Sequence, residues 1–189
     1  MEIILMRHGK PAFAGSAKVT SREMSGWITE YDLADTGDDI PPESSKSLAF
    51  SASRIISSPL PRALSSLRAL GPEPDVIDAV FREAGLPVFH IPGFRLSPAV
   101  WAAFFRVMWL CGLSRNMERV GTAKRRAAQA ANSLVGLAKT SDGPVLLMGH
   151  GLMNRLIARE LRSLGFKEYR CQGNGYWNAS IYSLSKQIL

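Results

Sequence analysis

Two histidines, two arginines and a glutamate are the residues of this chain best suited to do chemistry. Arg7 and His8 stand side by side after the apolar run Ile3-Ile4-Leu5-Met6, and Gly9 and Pro11 follow. Arg7 offers a planar fork of donors that matches phosphate oxygens. His8 offers a ring nitrogen that is a nucleophile when neutral. Gly9 lets backbone come close to an anion. Arg62 falls in the first turn of a helix that Ser58-Pro59-Leu60-Pro61 opens. A cation there opposes the positive end of the helix dipole, at a cost of a few tenths to ~1 kcal/mol, unless an anion shares the place. Glu83 could move a proton beside that basic cluster, although a salt bridge is the commoner fate of a glutamate. His150 sits between Gly149 and Gly151 and repeats the design of the N-terminus, a buried strand, then His, then Gly. His90, in apolar surroundings, reads as a packed or rim residue. A lone Arg-His at a strand end usually means only that the strand has reached the surface. Recurrence of the pattern across the chain is what favours chemistry.

The elements that must hold these residues follow from hydrophobic periodicity. Strands are expected at Ile3–Met6, Ser53–Ser57, Asp75–Val80, Val145–Met148 and Asn178–Leu184. Ser21 is expected to cap a helix from Arg22 to about Asp35, with Met24, Trp27, Ile28 and Tyr31 on one face. A short helix is expected over Glu43–Phe50. Ser58 reads as the N-cap of the helix carrying Ala63, Leu64, Leu67 and Leu70. Ser97-Pro98 starts a helix over about Ala99–Cys111 that is apolar on most sides, which makes it core, a cap over the site, or a dimer contact. Asn116–Ala138 reads as one long helix, with Lys124, Arg125 and Arg126 facing solvent. A last helix follows His150 and stops at Gly165. Strands alternating with helices indicate an α/β fold with a largely parallel sheet and helices on both faces. Ligand chemistry in such folds sits at the carboxyl ends of the strands, and His8, Arg62, Glu83 and His150 all fall there.

Length and composition bound the rest. A chain of 189 residues suits one domain, and 46% apolar with 21% charged residues is ordinary for a globular protein. The net charge of +7 suits an anionic substrate. The basic run at 124–126 could bind nucleic acid, but a solvated face is the commoner role and nucleic acid is not the expected partner. Two cysteines give no disulfide framework and no metal spacing. The start of the chain shows strand pattern and no signal peptide, so a cytoplasmic location is expected, with no membrane span.

Four blocks, in order, resemble the histidine phosphatase superfamily, the phosphoglycerate-mutase-like family. They are Leu5-Met6-Arg7-His8-Gly9-Lys10-Pro11, Ser57-Ser58-Pro59-Leu60-Pro61-Arg62-Ala63, Phe81-Arg82-Glu83 and Met148-Gly149-His150-Gly151. The resemblance covers nearly the whole chain and implies a three-layer sandwich with the apolar helix of 97–112 as an insertion. It implies His8 as the nucleophile that forms a phosphohistidine, and Arg7, Arg62 and His150 as a phosphate clamp. It also implies Glu83 as the proton donor and no metal or cofactor. Relatives often carry an Asn a few residues after the first Gly; here Ser16 or a backbone N–H would take its place. Gly151 adds a further backbone contact to phosphate, and Ser65-Ser66 replaces the usual Gln-Thr. The expected reaction is hydrolysis of a small phosphomonoester, since mutases of this family are generally longer. Phosphohistidine on a protein is an alternative substrate, phosphoglycerate-mutase-type phosphoryl transfer an alternative reaction, and a non-catalytic phosphate-binding module an alternative of another class.

Overall fold

The computed structural model describes residues 1–184 apart from 14, 16 and 116. In chain order the strands are β1 (Glu2–Arg7), β2 (Val19–Thr20), β3 (Arg54–Ser57), β4 (Val76–Ile77), β5 (Arg95–Leu96), β6 (Val145–Gly149), β7 (Lys167–Cys171) and β8 (Ala179–Ser183). The helices are α1 (Met24–Leu33), α2 (Glu43–Ser51), α3 (Pro61–Leu70), α4 (Pro98–Leu110), α5 (Val120–Thr140) and α6 (Gly151–Ser163).

A central six-stranded sheet runs in the order β4-β3-β6-β1-β8-β7. β4, β3, β6 and β1 are parallel, and β8 lies antiparallel to both β1 and β7. Side chains alternate across a strand, so β1 and β6 feed two cores at once. Ile3, Leu5, Val145 and Leu147 face α5 and α6, meeting Leu134, Ile157 and Leu161. Ile4, Met6, Leu146 and Met148 face α2 and α3, meeting Ala49, Leu67 and Leu70. Three layers result, with helices on both faces of a mostly parallel sheet. Ala127, Ala130, Ala131 and Ala138 keep the inner face of α5 small, so its backbone lies close to the sheet.

Several boundaries differ from expectation, each for a local reason. The strand expected over Asp75–Val80 is two residues long, and Ala79–Phe81 turns into one 3-10 turn. Asp78 causes the switch, its Oδ1 accepting from Val80 N at 2.8 Å. Ser21 does not cap α1: its hydroxyl accepts from Ile91 N at 2.8 Å and donates to Ile91 O at 3.0 Å. α1 therefore starts at Met24, and it ends at Leu33 because Ala34 is extended. Ser58 does not cap α3; Leu60 holds that position and Pro61 begins the helix. α5 starts at Val120 rather than Asn116, which lies outside the described residues. Arg126 is not solvent-facing: it is clamped by Glu118 and donates to the carbonyls of Val80 and Arg82. β7, which is exposed and charged, and the β2–β5 pair gave no periodic signal.

α4 forms as expected, with the Ser97 hydroxyl accepting from Val100 N. Its Trp101, Phe105 and Trp109 are buried, the first two packed with Met24 of α1. Val100, Phe104, Val107 and Leu110 form an exposed stripe on the opposite side. No helix among the described residues is long and apolar enough to cross a membrane.

Candidate active site

Parallel register brings the chemistry-bearing residues together. β1 and β6 pair so that Arg7 lies opposite Gly149, and β3 pairs with β6 so that Ser57 lies opposite Met148. The ladder runs one step further: His8 N donates to Gly149 O and Ser58 N to Met148 O, both at 3.1 Å. His8, Ser58 and His150 therefore leave the sheet at the same edge, and the two imidazole rings lie 5.1 Å apart.

His8 is buried, and its Nδ1 is 2.7 Å from Gly9 O. A carbonyl can only accept, so Nδ1 carries the proton and Nε2 keeps its lone pair. Burial pushes the pKa of His8 down to about 3; the Gly9 bond opposes this in part, and the charges of Arg62 and Arg7 add to it. His8 is thus a neutral imidazole of fixed tautomer throughout the neutral range. Gly9 N donates to Ser66 Oγ at 2.8 Å, and that hydroxyl donates to Arg62 O at 2.6 Å, which ties the loop to α3. From the other side Trp177 N donates to Arg7 O at 3.1 Å.

His150 is fully buried, with its Nε2 2.7 Å from Ser58 Oγ. Among the described residues the Ser58 hydroxyl has no acceptor other than His150 Nε2, so its proton goes to Nε2 and the imidazole proton sits on Nδ1. Burial, then the charges of His8, Arg62 and Arg7, holds the pKa of His150 well below the usual histidine range.

Arg62 is only 2% exposed. Its Nη1 donates to Asp32 Oδ1 at 3.0 Å and to Tyr31 O at 3.3 Å, and its guanidinium lies 4.8 Å from the centre of the Tyr31 ring. Arg7 is braced by Asn174 O at 2.6 Å and by the Tyr176 ring, 4.2 Å away. Arg7 Nε, Arg62 Nε and His150 Nδ1 are buried donors with no hydrogen-bond partner among the described residues. Buried donors ordinarily find acceptors, and a tetrahedral oxyanion beside His8 would supply three.

Glu83 borders the same cavity as Arg7, His8 and Arg62, a space of about 690 Å³. Its Oε1 accepts from Met153 N at 2.9 Å and Ala84 N at 3.0 Å, and its Oε2 from Leu152 N at 3.1 Å. The carboxylate thus takes the free N–H groups of the first turn of α6, where the helix dipole favours a negative charge. A carboxylate has roughly four lone-pair sites, so about one remains for a proton. Ala99, Ala102 and Arg106 of α4 wall the cavity on its outer side. Gly151 lies elsewhere: it borders a smaller polar cavity behind Arg7, and a Cβ on it would stand 3.5 Å from Arg7 Nε. Ser16 lies outside the described residues. His90 is exposed and apart from the cavity.

Sequence reasoning missed several members. Ser58 looked like a cap, yet it orients His150. Asp32, Tyr176 and Trp177 carried no signal, since each reaches the site by long-range packing. Ser66 was visible only as a departure from the Gln-Thr that the resemblance leads one to expect.

The histidine phosphatase superfamily (branch 1) family model matches residues 3–187. No curated protein sequence is significantly similar to the chain. Among solved structures, the product of open reading frame Rv3214 of Mycobacterium tuberculosis superposes with a TM-score of 0.63 at 15% identity, over 98% of this chain and 92% of that one. A structure described as mycobacterial hydrolase 1 gives 0.64 at 17% identity, over 95% and 87%. A phosphoserine phosphatase of Entamoeba histolytica, bound to phosphoserine, gives 0.55 at 13% identity, over 98% and 91%. At these identities the likeness is one of fold.

Proposed function

The chain belongs to the histidine phosphatase superfamily, and on that premise we propose that it hydrolyses a phosphomonoester through a phosphohistidine at His8. One observation carries the reading. The buried, neutral imidazole of His8, with its lone pair on Nε2, shares one cavity with Arg7 and Arg62 and lies 5.1 Å from the His150 ring, and Arg7 Nε, Arg62 Nε and His150 Nδ1 lack an acceptor among the described residues.

In the first step the Nε2 lone pair attacks phosphorus and the ester P–O bond breaks, and Glu83, which must enter this step protonated at the lone-pair site its three N–H donors leave open, gives that proton to the leaving oxygen. The N–P bond then breaks as water attacks, and Glu83 takes a proton from that water. Arg7, Arg62 and the Nδ1–H of His150 hold the equatorial oxygens, and positioned positive charge is what phosphoryl transfer chiefly requires. The Gly9 carbonyl stabilises the charge that builds on the ring as Nε2 bonds to phosphorus. This machinery asks for no metal, so a chelator is expected to leave the rate unchanged. A cavity of about 690 Å³ has room for both a phosphoryl group and the water that the second step consumes, which favours hydrolysis. Ala99, Ala102 and Arg106 of α4 line the cavity, which favours a small substrate over a histidine on a protein surface.

The test is turnover of an aryl phosphate by wild type and His8→Ala. The variant is expected to lose at least ~10³-fold in kcat/KM. Rapid acid-free quenching of the wild type is expected to trap phosphate that is labile in acid and stable in base. Turnover that survives in His8→Ala would remove the assignment.

A further inference from the structure

The cavity over His8 extends beyond the phosphate site proposed above. A second groove, of about 630 Å³, shares six bordering residues with it: Ile28, Asp32, Leu60, Arg82, Leu86 and Met117. The two adjoin along these residues, and together they hold far more space than a phosphoryl group requires. Four of the shared residues are apolar. Asp32 is the acidic residue bordering the outer groove, and its carboxylate already pairs with Arg62. Arg82 stands at the junction and Arg115 borders the outer part alone. Neither guanidinium has a hydrogen-bond or ion-pair partner among the described residues, whereas Arg7, Arg62, Arg106 and Arg126 are all engaged. The sequence adds to this polarity, for no acidic residue occurs between Glu83 and Glu118.

We propose that the substrate is an elongated phosphomonoester with an apolar body and a second anionic group at its far end. Its body lies along Ile28, Leu60 and Leu86, and its distal carboxylate or phosphate pairs with Arg82 and Arg115. This rests on reading the inner cavity as the phosphate site. Guanidinium forks bind both kinds of anion bidentately. The apolar wall between the two charged ends rewards an alkyl or aryl spacer over a sugar-like one.

Three series of equal spacer length separate the possibilities: n-alkyl phosphates, ω-carboxyalkyl phosphates and α,ω-alkane bisphosphates, followed by released inorganic phosphate. The wild type is expected to prefer one of the two dianionic-ended series over the neutral one by about tenfold in kcat/KM at its best length, and which series leads identifies the distal anion. Arg115→Ala is expected to remove most of that preference while leaving n-alkyl phosphate turnover within about twofold. Arg82→Ala is expected to act in the same direction. Equal kcat/KM for charged and neutral series at every length in the wild type, or an unchanged preference in Arg115→Ala, would overturn the proposal. Calorimetric binding of alkyl phosphonates with and without a distal carboxylate reads the same preference without turnover. A preference there, in a protein that hydrolyses none of the esters, would sink the hydrolytic reading and leave the distal subsite standing.

Discussion

At the residue scale the least obvious member of the site is Glu83. Three backbone N–H groups hold its carboxylate against the first turn of α6. A group so fixed cannot swing its proton toward a distant leaving group, so the leaving oxygen has to come to it. Proton donation matters in proportion to the basicity of the leaving group. Glu83→Gln is therefore expected to cost about 10²-fold in kcat with alkyl phosphates and no more than a few-fold with a nitrophenyl phosphate. A plot of log kcat/KM against leaving-group pKa should be steeper for the variant than for the wild type. Parallel plots would mean that Glu83 only secures α6. Because the introduced amide NH₂ would face a backbone N–H, thermal unfolding of the variant should be followed alongside.

At the element scale the nucleophile loop is held by the turn that precedes β8. Trp177 adopts φ 63°, a left-handed conformation rare for a bulky side chain. The indole is buried against Gly9, its Nε1 donates to Asp39 Oδ2 at 2.7 Å, and its backbone N–H donates to Arg7 O. A Cβ placed on Gly9 would stand 2.2 Å from an indole carbon. Gly9 is thus glycine because a ring lies flat where a side chain would be. Gly9→Ala is expected to destabilise the fold by about 1–3 kcal/mol, as overpacking does, and to displace the carbonyl that orients His8. Urea denaturation would measure the first effect. A drop in kcat beyond the fraction unfolded would measure the second. A variant of unchanged stability and rate would show that the turn yields at no cost.

At the scale of the whole molecule, two imidazoles buried in neutral form link stability to pH. In the unfolded chain a histidine takes up a proton near pH 6.5, but His8 in the folded protein does so only at about pH 3. Between these values the unfolded state binds more protons, so stability rises with pH and is fully present above about 6.5. It is lost as the pH falls toward 3, by up to ~1.4 kcal/mol per pH unit for His8 alone. His150, shifted the same way, adds to the loss. In a buffer free of phosphate, urea midpoints should fall steadily from pH 7 to pH 4. The slope should be visibly shallower in His8→Asn; an equal slope would mean that other groups set it. For the same reason the acid limb of the activity profile should not belong to the nucleophile.

What the chain determined unaided was everything that depends on local periodicity and on strand ends. The runs at 3–6 and 145–148 are apolar on both faces, so they had to be central strands, and a His after each had to emerge at the same edge once the two paired in parallel. The proline-led start of α3 fixed Arg62 in the same way. Tertiary structure decided the rest, because it depends on contacts between segments that share no period. Which hydroxyl orients His150, which carboxylate lies on Arg62, which rings flank Arg7 and why Gly9 cannot carry a side chain all follow from loops packing across the sheet edge. The end of β4 at Ile77 followed from the side chain of Asp78 accepting from Val80 N rather than from hydrophobic pattern. Linear pattern sets how each segment partitions between water and core, whereas hydrogen-bond partners and cavity shape are set by distances in space.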